Sequence, residues 1–322
     1  MDANPQSIPE RTEWIKHQAQ VLGFHKVGIT RADRIGSADR LMDWLARGYH
    51  ADMAWMARDP VRRIEPQMLL PDARSIVVVG LNYYVSDHGA SASSGTLAKI
   101  SRYAWGDDYH QVLKWKLQTL LDRVQGRWPD VAGKICIDTS ATMDKWWAAQ
   151  AGIGWQGKHS NIISRDYGSW IFLGELLLTC ELDADSPIPD FCGSCTRCLD
   201  ACPTQAIVQP YLVDANRCLS YWTVEYRGET FPNDICDQLS NWVFGCDICQ
   251  EVCPWNGRFQ QPTDETAFTP RSAVTTSTGE QLADLSVEDY ERYFKNSAIR
   301  RGKHSGLVRN AQVALKRRMP HG

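Results

Sequence analysis

Two runs of cysteine constrain this chain more than any other feature. CGSCTRCLDACP places Cys192, Cys195, Cys198 and Cys202 at the spacing C-x2-C-x2-C-x3-C-P, and CDICQEVCP places Cys246, Cys249 and Cys253 as C-x2-C-x3-C-P. Two-residue gaps let one loop curl around three corners of a cubane cluster, the following proline stops the loop running on, and the fourth ligand must come from distant chain. Seven ligands are placed in this way, and Cys218 in ANRCLSYW supplies the eighth. In two-cluster ferredoxins the fourth cysteine of a run serves the other cluster. The expected sets are therefore crossed: Cys192, Cys195, Cys198 and Cys253 hold one [4Fe-4S] cluster, and Cys202, Cys218, Cys246 and Cys249 hold the other. Paired CxxC elements also make zinc sites, but zinc sites rarely use a tight triple followed by C-P. Cys136, Cys180 and Cys236 stand outside the runs and are expected to be buried core thiols.

Eleven cysteines in an exported protein would suggest disulfides, whereas clustered thiols in reducing surroundings suggest metal or redox use. The start, MDANPQSIPERTE, is polar and carries three acids, without the basic and apolar stretches of a secretory signal. The most apolar segment, SWIFLGELLLT at 169 to 179, holds Glu175 and is eleven residues long, against roughly 20 for a membrane span. A cytoplasmic protein with no membrane segment is expected, with the apolar run a buried strand or short core helix.

Helix and strand alternate through the first half. ERTEWIKHQAQVLGF (10 to 24), LMDWLARGY (41 to 49), DYHQVLKWKLQTLLDRV (108 to 124) and MDKWWAAQAG (143 to 152) have helical periodicity; KVGIT, SIVVVGLNYY, KICID, NIIS and the run at 169 to 179 read as strands. This predicts an α/β (α+β) domain with a central sheet over 1–184. DADSPIPDF then reads as a linker into a small cluster domain at 185–262, followed by a basic helical tail at 263–322. A bare electron carrier would not need so large a domain ahead of its clusters, so the sequence calls for a catalytic centre.

The blocks LLPDARSIVVVGLNYY, KISRYAWGDDYH, ICIDTSATMDKWWAAQAGIGWQGKHSNII, YGSWIFLGELLL, CGSCTRCLDACPTQAI and FGCDICQEVCPWN together resemble the epoxyqueuosine reductases, cobalamin-dependent iron-sulfur enzymes of tRNA modification. The resemblance covers nearly the whole chain. It implies an N-terminal domain similar to nitroreductase-like cobalamin-processing proteins, followed by a ferredoxin-like domain with two [4Fe-4S] clusters. The chain ends soon after RNAQVALKRR and so resembles the short form that lacks most of a C-terminal HEAT-type domain.

The implied reaction is a two-electron reduction that takes the epoxide oxygen from epoxyqueuosine at the wobble position of tRNA with a GUN anticodon, leaving queuosine. Cob(I)alamin fed by the clusters would supply the reducing power, and Asp138 in IDTS would protonate the departing oxygen, its pKa raised by burial. The plainer alternative for Asp138 is a helix N-cap. Implied cobalamin contacts are Arg63, Ser101, Asp138, Gly157, Lys158, Ser160, Ile162, Leu173, Ser220 and Asp247, with His159 a satisfied polar histidine rather than a cobalt ligand. Among thirteen tryptophans most are expected in the core.

From Arg292 to Arg318 there are nine Lys or Arg and no acid. A solvated helix face is the bland explanation; with tRNA as substrate, Arg300, Arg301, Lys303 and Arg309 become expected phosphate contacts. A monomer is expected, with a flavodoxin or ferredoxin as electron donor. Two rival readings are a reductive dehalogenase, which also combines cobalamin with two clusters, and an electron-transfer protein without cobalamin.

Overall fold

The chain is described here by a computed structural model covering residues 7–86 and 97–316. Four strands form the central sheet: β1 (Lys26–Arg31), β2 (Ser75–Asn82), β3 (Gly133–Ile137) and β4 (Ile171–Leu178), in the spatial order β1-β2-β4-β3. Helix and strand alternate as the periodicity predicts, yet every ladder is antiparallel: Lys26 faces Gly80, Ser75 faces Leu178, and Gly133 also faces Leu178. The domain is thus of the α+β kind. Every residue of β2 is buried, because helices cover both faces of the sheet.

On one face lie α1 (Ile8–Val21) and α2 (Tyr109–Arg127). Helix α2 turns Leu113, Leu117, Leu120, Leu121 and Val124 inward at helical spacing, where they meet Ile29, Val77, Val79 and Leu176. On the other face, α3 (Asp144–Gln150) lays Trp147 and Ala148 over Ile76, Val78 and Leu177. The apolar run at 169 to 179 resolves as the strand β4. The proline-rich linker is pinned beside the sheet: Asp185 accepts from the Ile29 amide at 2.8 Å and from Lys16 Nζ at 2.6 Å.

The basic segment differs from a solvated tail. Ile299, Leu307, Ala311 and Ala314 share one core with Leu219, Val224, Val243 and Phe244, and also with Ile100 and Ala104 from the first domain. Helix α4 (Lys303–Lys316) buries Asn310 between them, whose Nδ2 donates to the Thr223 and Val243 carbonyls at 2.8 Å each. Its apolar stripe at i, i+4 and i+7 gives the helix a core face, and the basic residues occupy the remainder. Lys99–Ile100 adds a short parallel pairing to Trp242–Phe244, so the catalytic and cluster segments are stitched at this point. Arg317 and Arg318 lie outside the described residues.

Candidate active site and cluster ligands

The cysteines separate into two groups of four. Burial pushes the Cys198 thiol up to about 11, and Cys253, Cys192 and Cys195 push it in the same direction. Cys249 is raised further, by burial and then by Cys246, Cys218 and Cys202. These are the crossed sets expected from the spacing. Among the described residues no three His, Cys, Asp or Glu converge tightly enough for one metal ion; the corners of a cubane stand further apart than the ligands of a tetrahedral ion. Cys136 and Cys180 are buried in the two cores flanking the sheet and Cys236 lines the C-terminal core, away from both groups.

Asp138 follows the last residue of β3, where the chain leaves the sheet. Its side chain is 58% exposed and accepts hydrogen bonds from Tyr109 Oη at 3.0 Å and His110 Nε2 at 3.2 Å. The opposite nitrogen of His110, Nδ1, lies 2.7 Å from Asp108, whose carboxylate also caps α2 by accepting the His110 amide. Tyr109 is held flat against Phe172, with ring centroids 4.2 Å apart. The sequence DDYH therefore supplies a cap, an aromatic support and an imidazole within one turn.

The protonation states differ from the expected ones. Desolvation works against ionisation of Asp138, but the hydrogen bond and charge of His110, the Tyr109 hydroxyl and Lys145 outweigh it and hold the carboxyl below its ordinary value. Desolvation likewise opposes the His110 cation, while Asp108 and Asp138 on either side raise its pKa to about 9. At neutral pH the proton of this group sits on His110. The N-cap alternative for Asp138 is not what is seen, since Met143 occupies the N-cap of α3.

Arg63 is buried, donates to the Trp55 carbonyl at 3.3 Å, and feels the charges of Asp144 and Asp138. Lys145 Nζ donates to Asn161 Oδ1 at 3.2 Å, and its charge favours the ionised forms of Asp138 and Cys218. Gly157 sits in a hairpin formed by Trp155–Gln156 and Ile162–Ile163, where an added Cβ would come within 2.5 Å of Ile163. Ser160, at the hairpin tip with φ +69°, keeps a buried hydroxyl without a partner.

His159 is half satisfied: Nδ1 accepts from the Asn161 amide, Nε2 has no partner, and burial with Lys145 nearby lowers its pKa to about 4. Leu173 lines the α3 side of the sheet, as does Glu175, which is fully buried with both oxygens unpaired. The unpaired buried atoms of Arg63, His159 and Ser160 are what a large ligand rich in amides would satisfy. Ile162 is buried in the same hairpin, and Ser220 stands at the start of the π-helical turn Tyr221–Glu225.

Ser101 and Asp247 are buried and bonded to each other, with Asp247 also accepting the Arg102 amide at 2.8 Å. They tie the catalytic segment to the Cys246 loop. Lys158 points away from the carboxylate, its Nζ donating to the Gly193 and Cys195 carbonyls at 2.5 and 2.9 Å. Arg309 is enclosed: it lies over Phe231 and Tyr226 and donates to the Gly228, Trp222 and Tyr226 carbonyls. Phosphate contact is open only to exposed side chains. Arg300 pairs with Glu291 and Arg301 with Glu225 at the surface, Lys303 is exposed, and Arg301 feels Asp138.

His110, Tyr109, Lys145 and Glu175 had no assigned role in the sequence. Only His110 and Tyr109 carried a signal, an ionisable pair immediately after a helix cap.

The fold and site define an oxidoreductase with two iron-sulfur clusters and, apart from their cysteines, a hydrogen-bonded aspartate–histidine pair. Residues 63–139 match the family described as "Epoxyqueuosine reductase QueG, DUF1730", and residues 191–256 match the 4Fe-4S double cluster binding domain. An epoxyqueuosine reductase of Synechocystis sp. is 49% identical over 92% of this chain and 100% of its own length. One from Gloeobacter violaceus is 46% identical, covering 94% of each chain. Among solved structures, an epoxyqueuosine reductase with a tRNA-Tyr epoxyqueuosine-modified stem loop superimposes with a TM-score of 0.89 at 33% identity, covering 95% of this chain and 81% of the other. Another, from Bacillus subtilis with its catalytic aspartate loop swung out of the active site, gives 0.88 at 32% identity, with the same coverage. The chain belongs to the epoxyqueuosine reductase family.

Proposed function

We propose that this protein reduces epoxyqueuosine in tRNA to queuosine, removing the epoxide oxygen as water and leaving an alkene. The observation that carries the reading is the hydrogen-bonded trio of Asp138, Tyr109 and His110 at the end of β3, in one chain with two groups of four cysteines. The reaction consumes two electrons and two protons. Electrons enter as single charges through the two clusters, loaded by an external carrier of the flavodoxin or ferredoxin kind. The rival readings, a reductive dehalogenase and a bare electron carrier, have no comparable support.

Arg63, Ser160, Gly157, Ile162, Leu173 and Ser220 would hold cobalamin, the first two offering unpaired buried atoms to its amides. When bound, cobalamin supplies a strongly reducing cobalt centre for attack on the substrate carbon. The chain's own residues handle the proton. His110 stores the first of the two protons, Asp138 accepts it across 3.2 Å and presents it to the departing oxygen, the Tyr109 hydroxyl holds the carboxylate in place, and solvent reaching the exposed Asp138 supplies the second. Arg301, close enough to feel Asp138, together with Arg300 and Lys303, would meet the anticodon-loop phosphates. A cytoplasmic monomer suits this role.

The test is anaerobic turnover of tRNA carrying epoxyqueuosine with cobalamin and a strong reductant, with Asp138→Asn alongside. Wild type should form queuosine. The variant should keep its clusters and cobalamin and lose activity on the order of 10²–10⁴-fold, the usual size of a general-acid contribution. Wild type that binds cobalamin yet leaves the tRNA unchanged would overturn the substrate assignment.

A further inference from the structure

Lys158 is buried, and its ammonium is held by two neutral acceptors, the carbonyls of Gly193 and Cys195, at 2.5 and 2.9 Å. Both carbonyls belong to the loop that carries Cys192, Cys195 and Cys198. A buried ammonium costs several kcal/mol unless a negative group compensates it. A [4Fe-4S] cluster with four thiolates is such a group, and the loop that binds Lys158 is the one that wraps it.

The same hairpin supplies further contacts. The Trp155 indole N–H has no hydrogen-bond partner at full geometry, but it and the Lys158 backbone N–H lie close enough to Cys192 to favour its thiolate against the effect of burial. Trp155 packs directly against Cys253, and its ring is braced edge-on by Trp255 and Phe191 at 5.0 and 5.2 Å. Tyr211 donates its amide to the Lys158 carbonyl at 3.0 Å and its hydroxyl to Asp190, the nearest acid on that loop. One hairpin of the catalytic domain therefore grips the ligands of the Cys192, Cys195, Cys198 and Cys253 cluster through a charge, two N–H groups and an indole face. Cluster potentials respond to net charge, to hydrogen bonds on sulfur and to solvent exposure.

We propose that Lys158 is a potential-setting residue: its buried ammonium raises the reduction potential of the cluster held by Cys192, Cys195, Cys198 and Cys253. The added electron is stabilised by the fixed cation, so this cluster accepts electrons more readily than its ligand loop alone would allow. The proposal rests on the cluster reading and stands whether or not tRNA is the substrate.

The experiment is an anaerobic potentiometric titration of the full-length protein with both clusters loaded, followed by electron paramagnetic resonance. A Cys198→Ser variant identifies which signal belongs to the cluster beside Lys158. Lys158→Met should move that cluster's midpoint to lower potential by the equivalent of about a tenfold change in its reduction equilibrium, ~59 mV for one electron, and leave the other cluster in place. Lys158→Arg, which retains the charge, should keep most of the wild-type value. An unchanged midpoint in Lys158→Met with full iron and sulfide content, or equal shifts in the Met and Arg variants, would overturn the assignment. If the Met variant does not retain the cluster, Lys158→Gln decides in the same way, since it keeps a donor for the carbonyls and removes the charge.

Discussion

At the scale of single residues, the acid of this site is a pair. Asp138 alone, held below its ordinary pKa, would be ionised at neutral pH and could donate nothing. His110, raised to about 9, carries the proton that Asp138 needs. Activity should accordingly fall as pH rises through about 9, and His110→Asn should remove that alkaline limb and lower turnover on the order of 10²-fold. A pH profile of single-turnover rates checks this; an unaltered profile in the variant would assign the proton elsewhere. The same residue links pH to stability. Its folded pKa of about 9 exceeds the ordinary 6.5, so the imidazolium's contribution is complete below about 6.5 and disappears as pH rises through about 9.

At the scale of elements, β4 carries an acid where a core residue belongs. Glu175 faces Val78 on one neighbouring strand and Cys136 on the other, and is covered by α3. Burial, then Asp144 and Asp138, raise its pKa well above 4.5, so folding favours its neutral form. Unfolded, it ionises near 4.5, and the folded state therefore loses stability as pH climbs from 4.5 toward the folded pKa. Glu175→Gln removes that penalty without changing shape. It should raise the midpoint of thermal unfolding at pH 8 and give little difference near pH 4.5; equal gains at both pH values would mean that ionisation is not the cause.

At the scale of the whole molecule, the crossed ligation and the C-terminal layer bind the segments together. Cys202→Ser should remove the cluster shared with Cys218, Cys246 and Cys249 and leave the other, although Cys202 lies in the same run as Cys192, Cys195 and Cys198. Iron content and resonance spectra read this directly. Arg309→Ala should act through stability: it strands the Gly228, Trp222 and Tyr226 carbonyls, at about 1–3 kcal/mol for each that stays dry. Its effect on the salt dependence of tRNA binding should be small. Arg301→Ala combined with Lys303→Ala should instead weaken binding and lower the salt slope by about one for each phosphate that is no longer neutralised.

Some of this was settled by local chemistry and some only by the assembled fold. The double-cluster domain was legible because a cubane demands short, repeated spacing within a loop, and the crossed pairing came from the two-cluster ferredoxin pattern. Helices and strands were legible because each buries one face or two, and the apolar period records which. Strand direction was not, since antiparallel and parallel neighbours can bury the same residues. Nor were the partners of polar side chains. Lys158 and Arg309 look like free cations in the chain, yet one closes on a cluster loop and the other on three backbone carbonyls. The sequence by itself determined which atoms could carry electrons. Tertiary structure decided where the proton resides, because the charge on Asp138 and His110 depends on groups from β3, α2 and α3 that meet only when the sheet and its helices are packed.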